Sequence, residues 1–184
     1  VKKFAALAIF SLFLLPLPAW SVGKFDMMGG YYSLTAKAEV GEGSFANFGS
    51  YLATYNYSFL SSLDFSVGYS LFFADVFAGD MGYGPDLGFT FYPLTSSASL
   101  KITTDRVQIL MHEKIRPFIN FSFNQRQFQS VQAAYAGFSL AGGAEYYWNS
   151  IFSLKGMFRM QILKGPEGAT GQYMDVLFGV SFGI

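Results

Sequence analysis

Residues 137–162 restrict the fold more than any other stretch of this chain. Phe138, Leu140, Ala144, Tyr146 and Trp148 alternate with Gly137, Ser139, Ala141, Gly143 and Glu145. After Asn149 and Ser150 the alternation resumes, with Phe152, Leu154, Phe158, Met160 and Ile162 against Ser153, Lys155, Met157, Arg159 and Gln161. A period of two on both sides of a short polar turn specifies a β-hairpin. Each arm outruns the roughly five or six residues usual for a strand in a soluble sheet. One face is apolar, with aromatics near the turn, and the other mixes Gly and Ser with both signs of charge. A hairpin alone fits water or lipid on its apolar face, so the rest of the chain has to decide.

The same design recurs along the sequence. A first strand over about Phe25 to Ala38 puts Tyr32, Leu34, Ala36 and Ala38 opposite Tyr31, Ser33, Thr35 and Lys37. Gly41, Gly43 and Asn47 mark a loop, and a second strand over about Gly49 to Leu60 sets Tyr51, Ala53, Tyr55, Tyr57 and Phe59 against Ser50, Thr54, Asn56 and Ser58. A tight Ser61-Ser62 turn leads to a third, with Leu63, Phe65, Val67, Tyr69, Leu71 and Phe73 against Asp64, Ser66, Gly68 and Ser70. A fourth strand, about Tyr83 to Tyr92, puts Leu87, Phe89 and Phe91 opposite Asp86, Gly88 and Thr90, and Pro93 stops it. Residues 94–114 read as an extended insertion with no clear period. The pattern returns at Ile115 to Gln125, where Ile119, Phe121 and Phe123 oppose Arg116, Phe118, Asn120, Ser122 and Asn124. The opening hairpin follows a polar loop at about Arg126 to Gln132. A last strand then carries Val176, Phe178, Val180, Phe182 and Ile184 at every second position, with Asp175, Gly179, Ser181 and Gly183 between them.

The count is eight strands, an even number joined up-and-down, with longer loops expected at the end away from the tight turns. Composition identifies the solvent on the apolar faces. The chain of 184 residues is 20% aromatic and 13% charged, whereas a soluble domain is about a quarter charged. A soluble lipocalin-like barrel would need a charged outer face, and here the polar faces are mainly Gly, Ser, Thr and Asn. Outside the N-terminus there is no apolar run of about twenty residues, which excludes a helical membrane protein. The expected fold class is therefore all-β: an eight-stranded antiparallel up-and-down transmembrane β-barrel, apolar outside and polar inside. Closure satisfies every backbone group in lipid.

A cleavable signal peptide is expected to precede it. Lys2 and Lys3 form a basic region, Phe4 to Leu15 an apolar one, Pro16 and Pro18 break it, and Ala19 and Ser21 supply the small residues of a cleavage site. The expected division is a signal peptide at 1–21 and the barrel domain at 22–184. Cys is absent, so there is no disulfide framework and no thiol chemistry. The balanced charge gives no reason to invoke nucleic acid.

The chain resembles the small outer-membrane β-barrel families of Gram-negative bacteria, the OmpA/OmpW/opacity-protein group. The resemblance spans the whole mature chain. Arg116-Pro117-Phe118 opens the fifth strand, Glu145-Tyr146-Tyr147 precedes a tight turn, and the apolar alternating terminus ends the sequence. Those families usually end in phenylalanine, whereas this chain ends in Ile184. The resemblance implies a bacterial outer-membrane location and insertion by the outer-membrane assembly machinery. Phe178, Val180, Phe182 and Ile184 would form the C-terminal assembly signal.

The inward-facing ionisable positions on this reading are Lys37, Asp64, Asp86, Arg116, Glu145, Lys155, Arg159 and Asp175. An eight-stranded barrel is just wide enough to be filled by its own side chains, and an unpaired buried charge is costly. These residues are therefore expected to form a salt-bridge network plugging the lumen, with Glu145 and Lys155 directly opposed across their hairpin.

Enzymatic chemistry finds little footing. The one histidine, His112, lies in the unpatterned insertion, with no Ser or Asp placed beside it by spacing, so no assembled triad is expected. Asp75 and Asp80 share a Gly-containing loop, where a pair of carboxylates is ordinarily just solvated. No nucleotide-binding, metalloprotease or EF-hand motif occurs. The leading expectation is a non-enzymatic outer-membrane barrel, monomeric, with no cofactor or metal and a structural or surface-interaction role. Its partners would be outer-membrane lipid and the assembly machinery, with any surface partner left open. The alternatives are an OmpW-like conduit for small apolar molecules and, third, a lipid-modifying enzyme.

Overall fold

A computed structural model describes residues 23–38, 41–60, 62–75, 80–94, 101–104, 107–110, 114–128, 133–149 and 151–183. Its strands are β1 (Gly23–Ala38), β2 (Gly41–Leu60), β3 (Leu63–Asp75), β4 (Asp80–Phe91), β5 (Lys101–Thr104), β6 (Val107–Leu110), β7 (Ile115–Phe128), β8 (Ala133–Tyr147), β9 (Phe152–Lys164) and β10 (Thr170–Gly183). The eight long strands close into an antiparallel barrel in the order β1-β10-β9-β8-β7-β4-β3-β2. Pairing of β1 with β10, from Lys24↔Gly183 to Lys37↔Thr170, completes the wall. The small strands β5 and β6 form a separate hairpin within the insertion. The expected signal peptide, His112 and Ile184 lie outside the described residues.

The turn that opens β9 shows how local sequence sets register. Asn149 Oδ1 accepts the backbone N–H groups of Ile151 and Phe152 at 2.9 and 2.7 Å, a side-chain mimic of a backbone turn. Gly183 N–H donates to Ile151 O at 2.6 Å, tying the C-terminal strand to the same end. From there alternation does the rest. Tyr55, Phe121, Leu154 and Phe178 are exposed on the outside, while Asn56, Ser122, Ser153 and Leu177 are buried inside. Outward rings pair across strands, Phe65 with Phe89 and Phe121 with Phe138, as cross-strand neighbours on one face do.

Three expectations need correction. In β1 the faces are inverted. Tyr32 is fully buried in the lumen and Leu34 packs beside it, while Tyr31 and Lys37 are exposed. The interior at this level is aromatic, so apolarity there marks the inside instead of the lipid face. Residues 41–48, expected as loop, extend β2, which pairs with β1 down to Ala38↔Gly41. The change of pace falls at Gly49, whose φ of +134° is open only to glycine at little cost. It is the extra residue between Gly30↔Ser50 and Tyr31↔Phe48, a β-bulge. Because the strands run so far, the connections at this end are short, at 39–40, 76–79, 129–132 and 165–169. The longest connection, 92–114, leaves from the end that carries the termini.

Candidate functional site

The lumen is the candidate site, and its side chains are stacked in layers along the axis. Nearest the termini, Glu145 of β8 accepts from Lys24 Nζ at 3.2 Å, from Ser153 Oγ at 2.6 Å and from Tyr147 Oη at 3.0 Å. Lys24 Nζ also hydrogen-bonds Tyr147 Oη. Arg116 donates to Tyr147 Oη at 3.0 Å and stacks its guanidinium 4.0 Å from the centre of the Tyr92 ring, a cation–π contact. The second layer centres on Asp26, which accepts from Lys155 Nζ at 2.5 Å and from Asn56 at 2.8 Å. Lys155 also lies 4.6 Å from the Phe118 ring centre. An apolar layer of Met28, Leu52, Phe118, Met157 and Leu177 crosses the bore here.

Beyond it comes a second ion cluster. Arg159 grips Asp175 with two parallel hydrogen bonds, Nε to Oδ1 at 3.1 Å and Nη2 to Oδ2 at 2.5 Å, the bidentate geometry that makes Arg–carboxylate pairs strong. Its Nη1 is 3.5 Å from Asp86. Asp86 also accepts from Arg126 at 2.6 Å, from Ser70 at 2.5 Å and from Asn124. The far end is closed by an aromatic cap. Tyr32 stacks on Tyr173 at 5.4 Å and meets Phe72 edge-on at 5.7 Å, with Leu163 in the same buried group. Tyr32 Oη donates to Phe73 O and Tyr173 Oη bonds Ser50 Oγ, so the polar tips of the cap are satisfied.

The structure thus brings Glu145 and Arg116 together at one level and Asp86, Arg159 and Asp175 at another. Lys155, next to the Glu145 level, makes its own ion pair with Asp26. Asp64 is buried opposite Ser58 and Thr90 on the neighbouring strands. Glu145 and Lys155 are directly opposed, as the turn length implies, but each takes a different ionic partner. Lys155 reaches diagonally over β10 to Asp26 on β1: its own neighbour on β10 is Gly179, which carries no side chain, while Asp26 is paired with Ser181. Three members of the network were missed. Lys24 and Asp26 fell at the edge of the first strand and Arg126 in a supposed loop. Parity would have found Arg126, two residues beyond inward-facing Asn124. In charge, Asp26, Asp64, Asp86, Glu145 and Asp175 are matched one for one by Lys24, Arg116, Arg126, Lys155 and Arg159. Among the described residues no three His, Cys, Asp or Glu side chains are grouped to hold a metal.

One place in the wall departs from the regular ladder. The β4–β7 register passes from Tyr83↔Gln127 to Asp86↔Asn124 without a pair at Gly84 or Pro85. Pro85 has no N–H to give, and Arg126 fills in from inside, donating to the carbonyls of Pro85 and Gln125 at 3.2 and 2.8 Å. The wall stays closed there, since a Cβ on Gly84 would lie 1.9 Å from Gln125 O.

With this geometry in hand, solved structures supply the frame. Neisserial surface protein A matches with a TM-score of 0.58 at 10% identity, over 88% of this chain and 96% of that one. The N-terminal β-barrel domain of Pseudomonas aeruginosa OprF matches with a TM-score of 0.50 at 14% identity, over 89% of this chain and 97% of that one. The fold is that of the small outer-membrane β-barrels. At these identities the likeness is one of architecture. No protein-family model matches the chain, and no curated protein matches it in sequence.

Proposed function

We propose that this chain is an integral barrel of the bacterial outer membrane whose lumen is a permanent salt-bridged plug, and that its role is structural or surface-interacting and non-enzymatic. The observation that carries this reading is the filled bore. Two ion clusters, an apolar layer and an aromatic cap follow one another along the axis, and the buried charges balance. Both carboxylate oxygens of Asp86, Glu145 and Asp175 are taken by donors of the same chain, which leaves a substrate little to engage. Contacts with other molecules then fall to the outer surface, where the long β1–β2 hairpin carries Phe45 and Phe48 exposed at the end opposite the termini. The test is reconstitution into planar bilayers. Insertion of folded protein without steady conductance supports the plug, and stable open channels from the unmodified chain overturn it.

The conduit is the second reading, and the observation behind it is the missing ladder pairs at Gly84 and Pro85, where the closed wall has fewer backbone bonds to part. It requires vesicles carrying the barrel to take up a fluorescent apolar probe faster than empty ones. It further requires Pro85→Ala, which restores a backbone donor, to slow that uptake.

A further inference from the structure

Among the described residues, the packing of the lumen leaves a gap near its middle. A cavity of about 30 Å³ remains between the ion clusters, and its lining includes Asp26 and Lys155 from one and Asp86 and Arg159 from the other. Thr54 and Ser66 belong to the same lining, with Met28, Leu52, Phe118 and Met157 as its apolar part. Asp26 is 2% exposed. Its Oδ2 accepts from Lys155 and Asn56, while its Oδ1 is buried with no hydrogen-bond partner among the described residues. A buried carboxylate oxygen needs a donor, since desolvation without compensation is costly.

The chemistry of that donor can be narrowed. Asp26 is already neutralised by Lys155, and Asp86 by Arg126 and Arg159, so a cation entering the cavity would bring uncompensated charge into a dry interior. A neutral donor adds none. A site of this kind needs about 10–15 Å³ for each water, together with two to four polar partners, and both conditions are met. We propose that the cavity is a built water site holding one or two molecules, of which one donates to Asp26 Oδ1 and leans on the Thr54–Ser66 wall. The ion clusters and the aromatic cap stand between this site and bulk solvent on either side. That part rests on the sealed-lumen reading, and it gives the water a residence time far longer than that of surface hydration.

The experiment is water-selective NMR on the folded barrel in lipid nanodiscs, reading cross-peaks from water to the Asn56 side-chain amide and the Thr54 methyl. Cross-peaks with the sign of long-lived bound water are expected in the unmodified protein, and Ser66→Val, which fills the cavity, should abolish them. Their absence from the unmodified protein overturns the proposal, so a Ser66→Val barrel that failed to fold would not remove the test. Persistence in folded Ser66→Val overturns it too, by placing the water elsewhere. Asn56 amide shifts that track sodium concentration would identify a cation and likewise overturn it. Cross-peaks present but exchanging as fast as surface water would uphold the site and sink the sealed lumen instead.

Discussion

Removing one member of the Asp26–Lys155 pair should cost far more than removing both. The two side chains meet at 2.5 Å with side-chain exposures of 2% and 6%, so neither is rescued by water when its partner goes. Lys155→Met leaves Asp26 with the neutral Asn56 amide as its side-chain donor, and Asp26→Leu leaves an ammonium against the Phe118 ring. Stranding a buried charge in this way costs about 3–5 kcal/mol, whereas replacing both partners by apolar groups of similar size is close to neutral. On those figures a double-mutant cycle should return a coupling of about 6 kcal/mol or more, beyond the roughly 0.5–3 kcal/mol usual for residues in direct contact. The assay is reversible urea unfolding in phospholipid vesicles followed by tryptophan fluorescence. Glu145 and Lys155 provide the contrast. They face each other across β8 and β9, at roughly 5 Å between Cβ atoms, yet their ion pairs run to Lys24 and Asp26. Their cycle should show the smaller coupling. Additive effects for Asp26 and Lys155, or a Glu145–Lys155 coupling that exceeds theirs, would refute the pairing across the lumen.

Arg126→Met should destabilise the barrel by about 3 kcal/mol or more in the same assay, because it strips Asp86 of its 2.6 Å partner and leaves the Pro85 and Gln125 carbonyls without their donor. Phe178→Arg, on the outer face in mid-strand and 68% exposed, should cost about 2–4 kcal/mol near the bilayer midplane. Its stability in lipid would match the parent's if that face did not meet hydrocarbon. His112→Ala should leave folding and the composition of lipid A unchanged, as judged by mass spectrometry of extracted lipid, and a lost lipid modification would point to an enzyme.

How much of this could be read from the sequence depends on how far polarity tracked the inside. On β3, β4, β7, β8, β9 and the end of β10 the lumen is lined mainly by Ser, Gly, Asn and charged groups, so alternation gave the correct face residue by residue. In the upper part of β1 it failed, because Tyr32 and Leu34 point into an aromatic cap and read as lipid-facing. A pattern that assumes a polar interior inverts wherever the interior is apolar, and a one-residue error flips the whole strand. Leu52, Phe72 and Leu177 were passed over for the same reason, as apolar residues on the inward parity. The charged positions were legible but their partners were not. Sequence gives the neighbours along a hairpin, whereas a long side chain chooses among groups on strands two or three places around the barrel. Lys155 is paired with Gly179 and pairs ionically with Asp26, which lies two strands away and opposite Ser181.

The sealed lumen can be tested most directly by asking whether water-borne reagents reach it. The chain has no cysteine, so a single Ser122→Cys places one thiol inside, where Ser122 is 5% exposed and hydrogen-bonded to Ser139 at 2.6 Å. Folded barrels in vesicles should resist a charged, membrane-impermeant thiol reagent at this position for as long as a control Asn149→Cys on the solvent-exposed turn is labelled to completion, and should become reactive only on unfolding. Labelling of the Ser122→Cys barrel in its folded state at a rate close to that of the control would mean that the bore is open to solutes, and the plug would not exist.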